Sequence, residues 1–545
     1  MNISNNIRKL AQLFVVFFIA LSAVLVYWQV VVAQQVTSNI HNNRHCLSDS
    51  APVRGRIFDR NGVLLAESKP SNVAVCGYQR YYYLKNYPSL ASLIGYYISP
   101  LYGSSGIEHQ YDDYLSGRVG VTGLNNYINQ TLHRPPVGDD IYLTIDVRMQ
   151  ALLEKYFDQA VPPPDGVNIF PSDRGSAIIA NPHTGEILAV LSRPTFDPNR
   201  VASGDLQYFS SLEKDPEQPL LERPIQSTYI PGSTYKTMTL SAGLDSGSAH
   251  LTDPFYNDHD PTHPQAIGPV TIGSGEETEV FGPVGNNLEP YTVHFPVNLR
   301  YGYTHSDNII FAQVGAKMGA SKWLDYNNRF YVGRQIPFDL PVKVSTVTPG
   351  NGQSLKVNQL AENSFGQGID LITPMQMTMI DNSIANNGQL MRPTLVQKIV
   401  DPDGATVFSA SPQPLGSPIS DNTASQVRDA MYGVVQCGSG RFGPTAALAP
   451  ELDTSPWAII AKTGTGQVPQ VNGKTRGAEA WLLTQAPYQN PQLTIVAMRE
   501  NAGEGGSAVG PMVTHTYNDI FSKIMKIPTS PPADPNYCAT TGLLQ

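Results

Sequence analysis

Between Leu10 and Asn43 the chain carries no Asp, Glu, Lys or Arg, and within that stretch Leu13 to Val32 is an almost unbroken apolar run. About 20 apolar residues are what a helix needs to cross a bilayer, so this segment stands apart from whatever the remainder folds into. Arg8 and Lys9 precede it, which by the positive-inside rule places the N-terminus in the cytoplasm and everything beyond Gln34 outside. Tyr27 and Trp28 suit the outer interface. The rival reading is a cleaved signal peptide ending at Val31-Val-Ala33, but its apolar region would exceed the usual length of about 7–15 residues. A single uncleaved anchor is the expectation.

Three strings recur in one order: Ser233-Thr-Tyr-Lys236, Ser306-Asp-Asn308 and Lys462-Thr-Gly-Thr465. A serine hydroxyl is a weak nucleophile at neutral pH, so it needs a proton acceptor beside it and donors for the oxyanion that forms. Ser233 and Lys236, three residues apart on a helix, share a face, which suits them as nucleophile and base. Lys236 can act as base only when neutral part of the time, so partial burial and the charge of Lys462 are expected to lower its pKa. Ser306 is the expected proton relay. Asn308, with a donor and an acceptor on one amide, suits holding Lys236 and a substrate amide. Lys462 attracts a carboxylate that Thr463 and Thr465 bind by hydrogen bonds, and Gly464 leaves room for an extended peptide at the strand edge.

Two of the strings have copies, and their surroundings separate them. Ser233 follows Pro231-Gly232 and precedes Met238, Leu240, Ala242 and Leu244, a buried helix with the serine in its first turn. The copy Ser211-Leu-Glu-Lys214 runs into Asp215-Pro216 and reads as an exposed loop. Ser306-Asp-Asn308 leads into Ile309, Ile310, Phe311, Val314 and Met318, a core helix closed by Gly319. Ser420-Asp-Asn422 follows three prolines and reads as the N-cap of a helix starting at Asn422 to Ala424. Trp457-Ala-Ile-Ile-Ala461 reads as a strand that ends at Lys462.

The ordered triple resembles the signature of penicillin-binding proteins and serine β-lactamases. Arg54-Gly-Arg-Ile-Phe-Asp-Arg-Asn-Gly-Val-Leu-Leu-Ala66 and Gly106-Ile-Glu-His-Gln-Tyr-Asp-Asp-Tyr-Leu-Ser-Gly117 are similar to motifs of class B penicillin-binding proteins, as are Phe365-Gly-Gln-Gly368 and Thr373-Pro-Met-Gln376. The resemblance runs from Arg54 to about Lys523. It implies an α+β fold of the penicillin-binding transpeptidase or serine β-lactamase type, an antiparallel sheet packed by helices plus an all-helical subdomain, on an N-terminal pedestal. It implies a peptidoglycan D,D-transpeptidase of the bacterial cytoplasmic membrane that acts on stem peptides ending in D-Ala-D-Ala, is trapped by β-lactams, and uses no metal or organic cofactor. The backbone N–H groups of Ser233 and Thr465 form the oxyanion hole in this picture. A glycosyltransferase of the shape, elongation, division and sporulation family is the implied partner. The same strings also serve a D,D-carboxypeptidase or β-lactamase, which gives its acyl group to water, and a non-enzymatic β-lactam sensor or scaffold.

Along the chain this divides residues 1–33 as tail and anchor, 34–137 as pedestal, 138–525 as transpeptidase domain and 526–545 as a proline-rich tail. Asp146 is the expected N-cap of a helix bearing Met149, Leu152, Leu153, Tyr156 and Phe157. A hairpin is expected about Pro182-His-Thr-Gly185, with further strands over Ala480–Thr484 and Leu493–Met498. Tyr81-Tyr-Tyr83 suggests packing of the pedestal on its neighbour. With 41% hydrophobic and 15% charged residues the chain can bury sizeable cores, and its net charge of -9 offers no field for nucleic acid. Cys46, Cys76, Cys437 and Cys538 permit three pairings. Cys46 with Cys76 and Cys437 with Cys538 is the favoured one, four free thiols the alternative. His250, His259, Asp260 and His263 suggest metal, but Pro261 and Pro264 forbid the regular helix that would converge them, so a surface insertion is expected.

Overall fold

The first element is a helix, α1 (Ile3–Val26), with its apolar side chains exposed: Phe14 and Phe17 are 69% and Phe18 is 72% accessible. A helix apolar on every side needs an apolar surrounding, and the stretch Ile7–Val26 is long and apolar enough to cross a membrane. The computed structural model describes residues 3–27, 53–72, 77–99, 103–119, 137–159, 173–255, 270–273, 279–281, 296–350, 353–438, 452, 455–468, 477–529 and 536–543.

The principal elements follow in chain order. Strands β1 (Ile57–Phe58), β2 (Leu64–Pro70), β3 (Tyr78–Tyr82) and β4 (Asp140–Leu143) precede helix α2 (Val147–Gln159). Asp146 sits at the start of α2 and accepts from the Arg148 N–H at 3.0 Å. Strands β5 (Gly175–Ala180) and β6 (Ile187–Arg193) form the expected hairpin. Helices α3 (Lys236–Asp245), α4 (Asn308–Met318) and α5 (Pro374–Ala385) come next, then strands β7 (Val396–Val400) and β8 (Thr406–Ser409) and helix α6 (Asp421–Cys437). Strands β9 (Ile460–Gly466), β10 (Glu479–Ala486) and β11 (Leu493–Arg499) and helix α7 (Gly505–Asp519) complete the set.

Five of these strands make one antiparallel sheet in the order β9-β10-β11-β5-β6. Both faces are covered, so its strands read as continuous apolar runs. Leu482, Ile495 and Ala497 pack on Phe157, Met512 and Val513 of α2 and α7. The alternate residues Trp481, Leu483, Val496 and Met498 pack with Met238, Phe311 and Met431 of α3, α4 and α6. The side-chain period of two thus divides one sheet between two cores.

A second sheet, in the order β8-β7-β4-β1-β2-β3, draws its strands from both sides of residue 138. Under it lies a buried ionic cluster that joins the two front motifs. Glu108 accepts from Arg54 Nη2 at 2.9 Å, Arg80 Nε at 2.6 Å and the Tyr82 hydroxyl at 3.3 Å. Burial opposes the Glu108 charge, but Arg80 and Arg54 outweigh it and hold the carboxyl below its ordinary range. Removing one member of such a cluster leaves buried charge unpaired and costs about 3–5 kcal/mol. Glu108→Ala is therefore expected to lower the thermal unfolding midpoint of the purified chain clearly, as followed by circular dichroism; an unchanged midpoint contradicts this.

In the aromatic run the Tyr82 hydroxyl turns to Glu108 and it is the backbone of Tyr82 that meets the later segment: its N–H donates to Asn199 Oδ1 at 2.8 Å and Asn199 Nδ2 donates back to Tyr82 O at 2.9 Å. Cys437, at the end of α6, is joined to Cys538 in a disulfide that fastens the C-terminal helix Tyr537–Thr540. Cys46 and Cys76 lie outside the described residues, as do His259, Asp260 and His263. His250 stands exposed beside Asp253. Among the described residues no group of three or more His, Cys, Asp or Glu is set to hold a metal.

Candidate active site

Ser233 stands in a 3-10 turn, Gly232–Tyr235, that runs directly into α3. Glycine is required at 232 because the backbone there has φ +56° and a Cβ would lie 2.5 Å from Thr465 O. Thr234 Oγ1 donates to Pro231 O at 2.6 Å and closes the turn. From Lys236 to Gly243 the helix is buried, so the lysine next to the serine is held without solvent.

Lys236 Nζ lies 2.9 Å from Ser233 Oγ, 2.6 Å from Asn308 Oδ1, 2.5 Å from Ser306 O and 3.3 Å from Ser306 Oγ. Lys462 Nζ approaches Ser306 Oγ from the other side at 2.9 Å and also meets Thr463 O at 3.0 Å. Ser306 therefore bridges the two lysines. It can do so because its backbone sits at φ +64°, a left-handed conformation uncommon for serine. The next residue, Asp307, caps α4 by accepting from the Ile310 N–H at 3.0 Å, and Asn308 opens that helix. The rings of Phe311 and Tyr303 lie 5.8 Å from Lys236 Nζ and 5.5 Å from Lys462 Nζ.

Both amines are fully buried, and burial disfavours their charged forms. The Lys236 pKa is brought down to about 7 by burial, with the Asp307 carboxylate pulling the other way. Lys462 falls well below its ordinary value through burial first and the Lys236 charge second. The expected depression of Lys236 is present, and burial is its leading cause.

The third string lies inside β9, not after a strand. Ala458, at φ +46°, turns the chain, and extended pairing begins only at Ile460, with Lys462 opposite Leu483 and Thr465 opposite Ala480. The expectation that Trp457–Ala461 forms a strand ending at Lys462 is thus corrected. Gly464 also has a packing role that the sequence did not suggest. A Cβ there would lie 2.7 Å from Thr234 Cγ2, 2.9 Å from Thr234 N and 3.0 Å from Pro231 O. Its bareness seats the Ser233 turn against the strand. Thr463 is buried and Thr465 half-buried on the same strand.

The copies lie apart from this cluster. Ser211 is in a helix, Leu206–Lys214, not a loop: Asp205 caps it by accepting from the Tyr208 N–H, and Ser211 Oγ donates to Tyr208 O. Ser420 caps α6, accepting from the Thr423 N–H at 3.2 Å, and the helix starts at Asp421, one residue early. Ser211→Ala and Ser420→Ala are expected to leave acylation of the chain by a β-lactam unchanged, the second at a stability cost of about 1 kcal/mol. Loss of acylation in either variant would show that the wrong copy was chosen.

Gln367, within Phe365-Gly-Gln-Gly368, joins the site through contacts that its local sequence does not announce. Gln367 Nε2 donates to Thr465 O at 2.6 Å, and Gly366 O accepts from the Gly232 N–H at 2.9 Å.

Comparison with known proteins gives two family matches: the penicillin binding protein transpeptidase domain over residues 175–526 and the penicillin binding protein A dimerisation domain over residues 54–141. The chain is similar to the peptidoglycan D,D-transpeptidase PbpA of Mycolicibacterium smegmatis, with 29% identity over 514 residues covering 93% of this chain and 96% of that one. It is also similar to the peptidoglycan D,D-transpeptidase MrdA of Escherichia coli, with 28% identity over 449 residues covering 77% of this chain and 64% of that one. Among solved structures, the penicillin G acyl-enzyme complex of penicillin-binding protein A from M. tuberculosis matches with a TM-score of 0.70 and 27% identity, covering 86% of this chain and 99% of that one.

Proposed function

The chain belongs to the penicillin-binding protein transpeptidase family, and we propose that Ser233 is its nucleophile, Lys236 its general base and Ser306 its proton relay. It is a class B member, a serine-type peptidoglycan D,D-transpeptidase that β-lactams acylate. The observation that carries the assignment of roles is the set of partners around one nitrogen. Ser306 O and Asn308 Oδ1 can only accept, so a neutral Lys236 gives them its two N–H bonds and turns its lone pair toward Ser233 Oγ at 2.9 Å.

The donor is a stem peptide ending in D-Ala-D-Ala. Its carboxylate pairs with Lys462, Thr463 and Thr465, and Asn308 orients its amide. Two amines buried on either side of Ser306 hold one positive charge better than two. With the carboxylate at Lys462 the charge belongs there, and Lys236 is left neutral. Ser233 Oγ then attacks the penultimate D-Ala carbonyl while Lys236 takes its proton. The backbone N–H groups of Ser233 and Thr465 receive the oxyanion, and losing one such donor typically costs about 2.7–4 kcal/mol. Lys236 returns the proton through Ser306 to the leaving D-Ala amine. The acyl group passes to the amine of a neighbouring stem as a 4,3 cross-link. Incubation with an acyl donor and an amine tests this last step; free acid as the only product overturns it in favour of a hydrolase.

Because Lys236 must be neutral to act, acylation by a β-lactam is expected to fall about tenfold per pH unit below a midpoint of about 7 and to level off above it. A rate independent of pH across that midpoint would remove Lys236 as the base.

The anchor helix holds the N-terminus in the cytoplasm and the catalytic part outside, supported by Arg8 and Lys9 before the apolar run. Protease added to the outer face of intact spheroplasts should digest the catalytic part and spare the N-terminal tail; protection of the catalytic part contradicts this orientation. The chain divides into 1–33, 34–137, 138–525 and 526–545; the matched stretches 54–141 and 175–526 support the two middle units, and limited proteolysis at the junctions tests the division. A glycosyltransferase of the shape, elongation, division and sporulation family is the partner of anchor and pedestal; co-purification that survives deletion of both rejects this.

A further inference from the structure

Strand β9 ends the five-stranded sheet, with β10 on one side and the Ser233 turn on the other. Alternate residues of an edge strand turn their backbone N–H and C=O to the unpaired side, and Thr465 and Gln467 do so here. Their free groups are met by one side chain. Gln367 Nε2 donates to Thr465 O at 2.6 Å and the Gln467 N–H donates to Gln367 Oε1 at 3.1 Å. A single carboxamide thus takes the place of one residue of an added strand.

The loop that carries Gln367 is also locked to the nucleophile turn. Gly366 has φ +80°, and a Cβ on it would lie 1.9 Å from Gly232 O. A Cβ on Gly232 would in turn lie 2.5 Å from Thr465 O. Asn363 holds the loop from behind, donating to Val347 O at 2.9 Å and accepting from the Ile369 N–H at 2.8 Å. The turn therefore touches both the loop and the strand with no side chain between the backbones, and Gln367 is the polar link from loop to strand that closes the set.

We propose that Gln367 is a positioning residue for acylation: it holds the edge of β9 at the spacing from the Ser233 turn that brings the Thr465 N–H onto the developing oxyanion. This rests on the reading of Ser233 as nucleophile. Gln367 itself touches no reacting atom. A device that sets the geometry of the transition state acts on the acylation step and leaves binding largely alone.

The test uses the full-length chain in detergent with penicillin G, resolving the limiting acylation rate from the half-saturating concentration. Gln367→Ala is expected to slow the limiting rate about tenfold or more, with the half-saturating concentration within about twofold of wild type. Gln367→Glu keeps the size of the side chain but cannot donate to Thr465 O when ionised, so it is expected to be slow at neutral pH. Its rate relative to wild type should rise toward about pH 5 as the carboxyl gains a proton to donate. A merely structural side chain would give no such recovery. Wild-type limiting rates in either variant, or a Gln367→Glu defect that is flat with pH, overturn the proposal; if Gln367→Ala fails to fold, Gln367→Glu alone decides. Peptide mapping of the wild-type acyl-enzyme keeps the two readings apart: a label off Ser233 sinks the nucleophile assignment, whereas a label on Ser233 with unaffected variants sinks only the role of Gln367.

Discussion

Lys236→Ala is expected to abolish acylation of the chain, with a loss of about 10⁴-fold or more, because a nucleophile and its base act as one unit. Lys236 Nζ is the only side-chain nitrogen described within hydrogen-bond reach of Ser233 Oγ, at 2.9 Å. Lys462, the other amine of the site, reaches Ser306 instead. The alanine removes the desolvation cost of a buried amine but leaves a gap where one of the largest fully buried side chains stood and takes the donor from Ser306 O and Asn308 Oδ1, so circular dichroism of the variant accompanies the kinetics. Lys236→Arg should not restore activity, since a guanidinium does not give up its proton at working pH and cannot serve as base. Stopped-flow or intact-mass measurement of β-lactam uptake decides between outcomes. Acylation of Lys236→Ala at a rate near that of wild type would exclude Lys236 as base.

Gly464→Ala is the second large effect, and it comes from backbone contact with no loss of a chemical group. The added methyl would stand 2.7 Å from Thr234 Cγ2, 2.9 Å from Thr234 N and 3.0 Å from Pro231 O. Thr234 cannot swing clear cheaply, because its hydroxyl is bonded to Pro231 O at 2.6 Å and its amide belongs to the turn. Strand and turn must part by several tenths of an ångström, carrying Ser233 away from Thr465. A displacement approaching 1 Å costs about 100-fold in rate, and overpacking of a tight site costs about 1–3 kcal/mol of stability. Acylation kinetics and a thermal midpoint on the same sample read both. If Gly464→Ala acylates like wild type while carboxylate-bearing peptides bind more weakly, the glycine serves the substrate after all.

Much of this site was legible because it lies in local sequence. The three-residue step from Ser233 to Lys236, the turn-forming Pro231-Gly232 and the apolar residues behind them mark a nucleophile at the head of a buried helix. The same logic separated Ser306, which stands just ahead of a core helix, from Ser420, which follows three prolines and serves as the cap of α6. The sheet strands β5, β6, β10 and β11 could be read from their apolar runs. What could not be read depends on contacts between distant segments. The left-handed backbone at Ser306 is held by the Asp307 N–H donating to Gly302 O at 2.8 Å and by α4 beyond it, which no local pattern announces. The packing role of Gly464 depends on which element lies over it, and the full burial of Lys236 on how completely the site is closed. The helix around Ser211 leaves little trace in the sequence, because only Leu212 of its residues is buried and its start rests on the Asp205 cap. The six-stranded sheet takes β7 and β8 from more than 250 residues beyond β4, on which β7 pairs, a pairing that periodicity cannot foresee.

The most direct test of the central claim is covalent labelling of the full-length chain in its membrane with a fluorescent penicillin, followed by peptide mapping. The label is expected on the peptide that contains Ser233, and Ser233→Ala is expected to take up none. Label that persists in Ser233→Ala, or that maps to Ser211, Ser306 or Ser420, would contradict it.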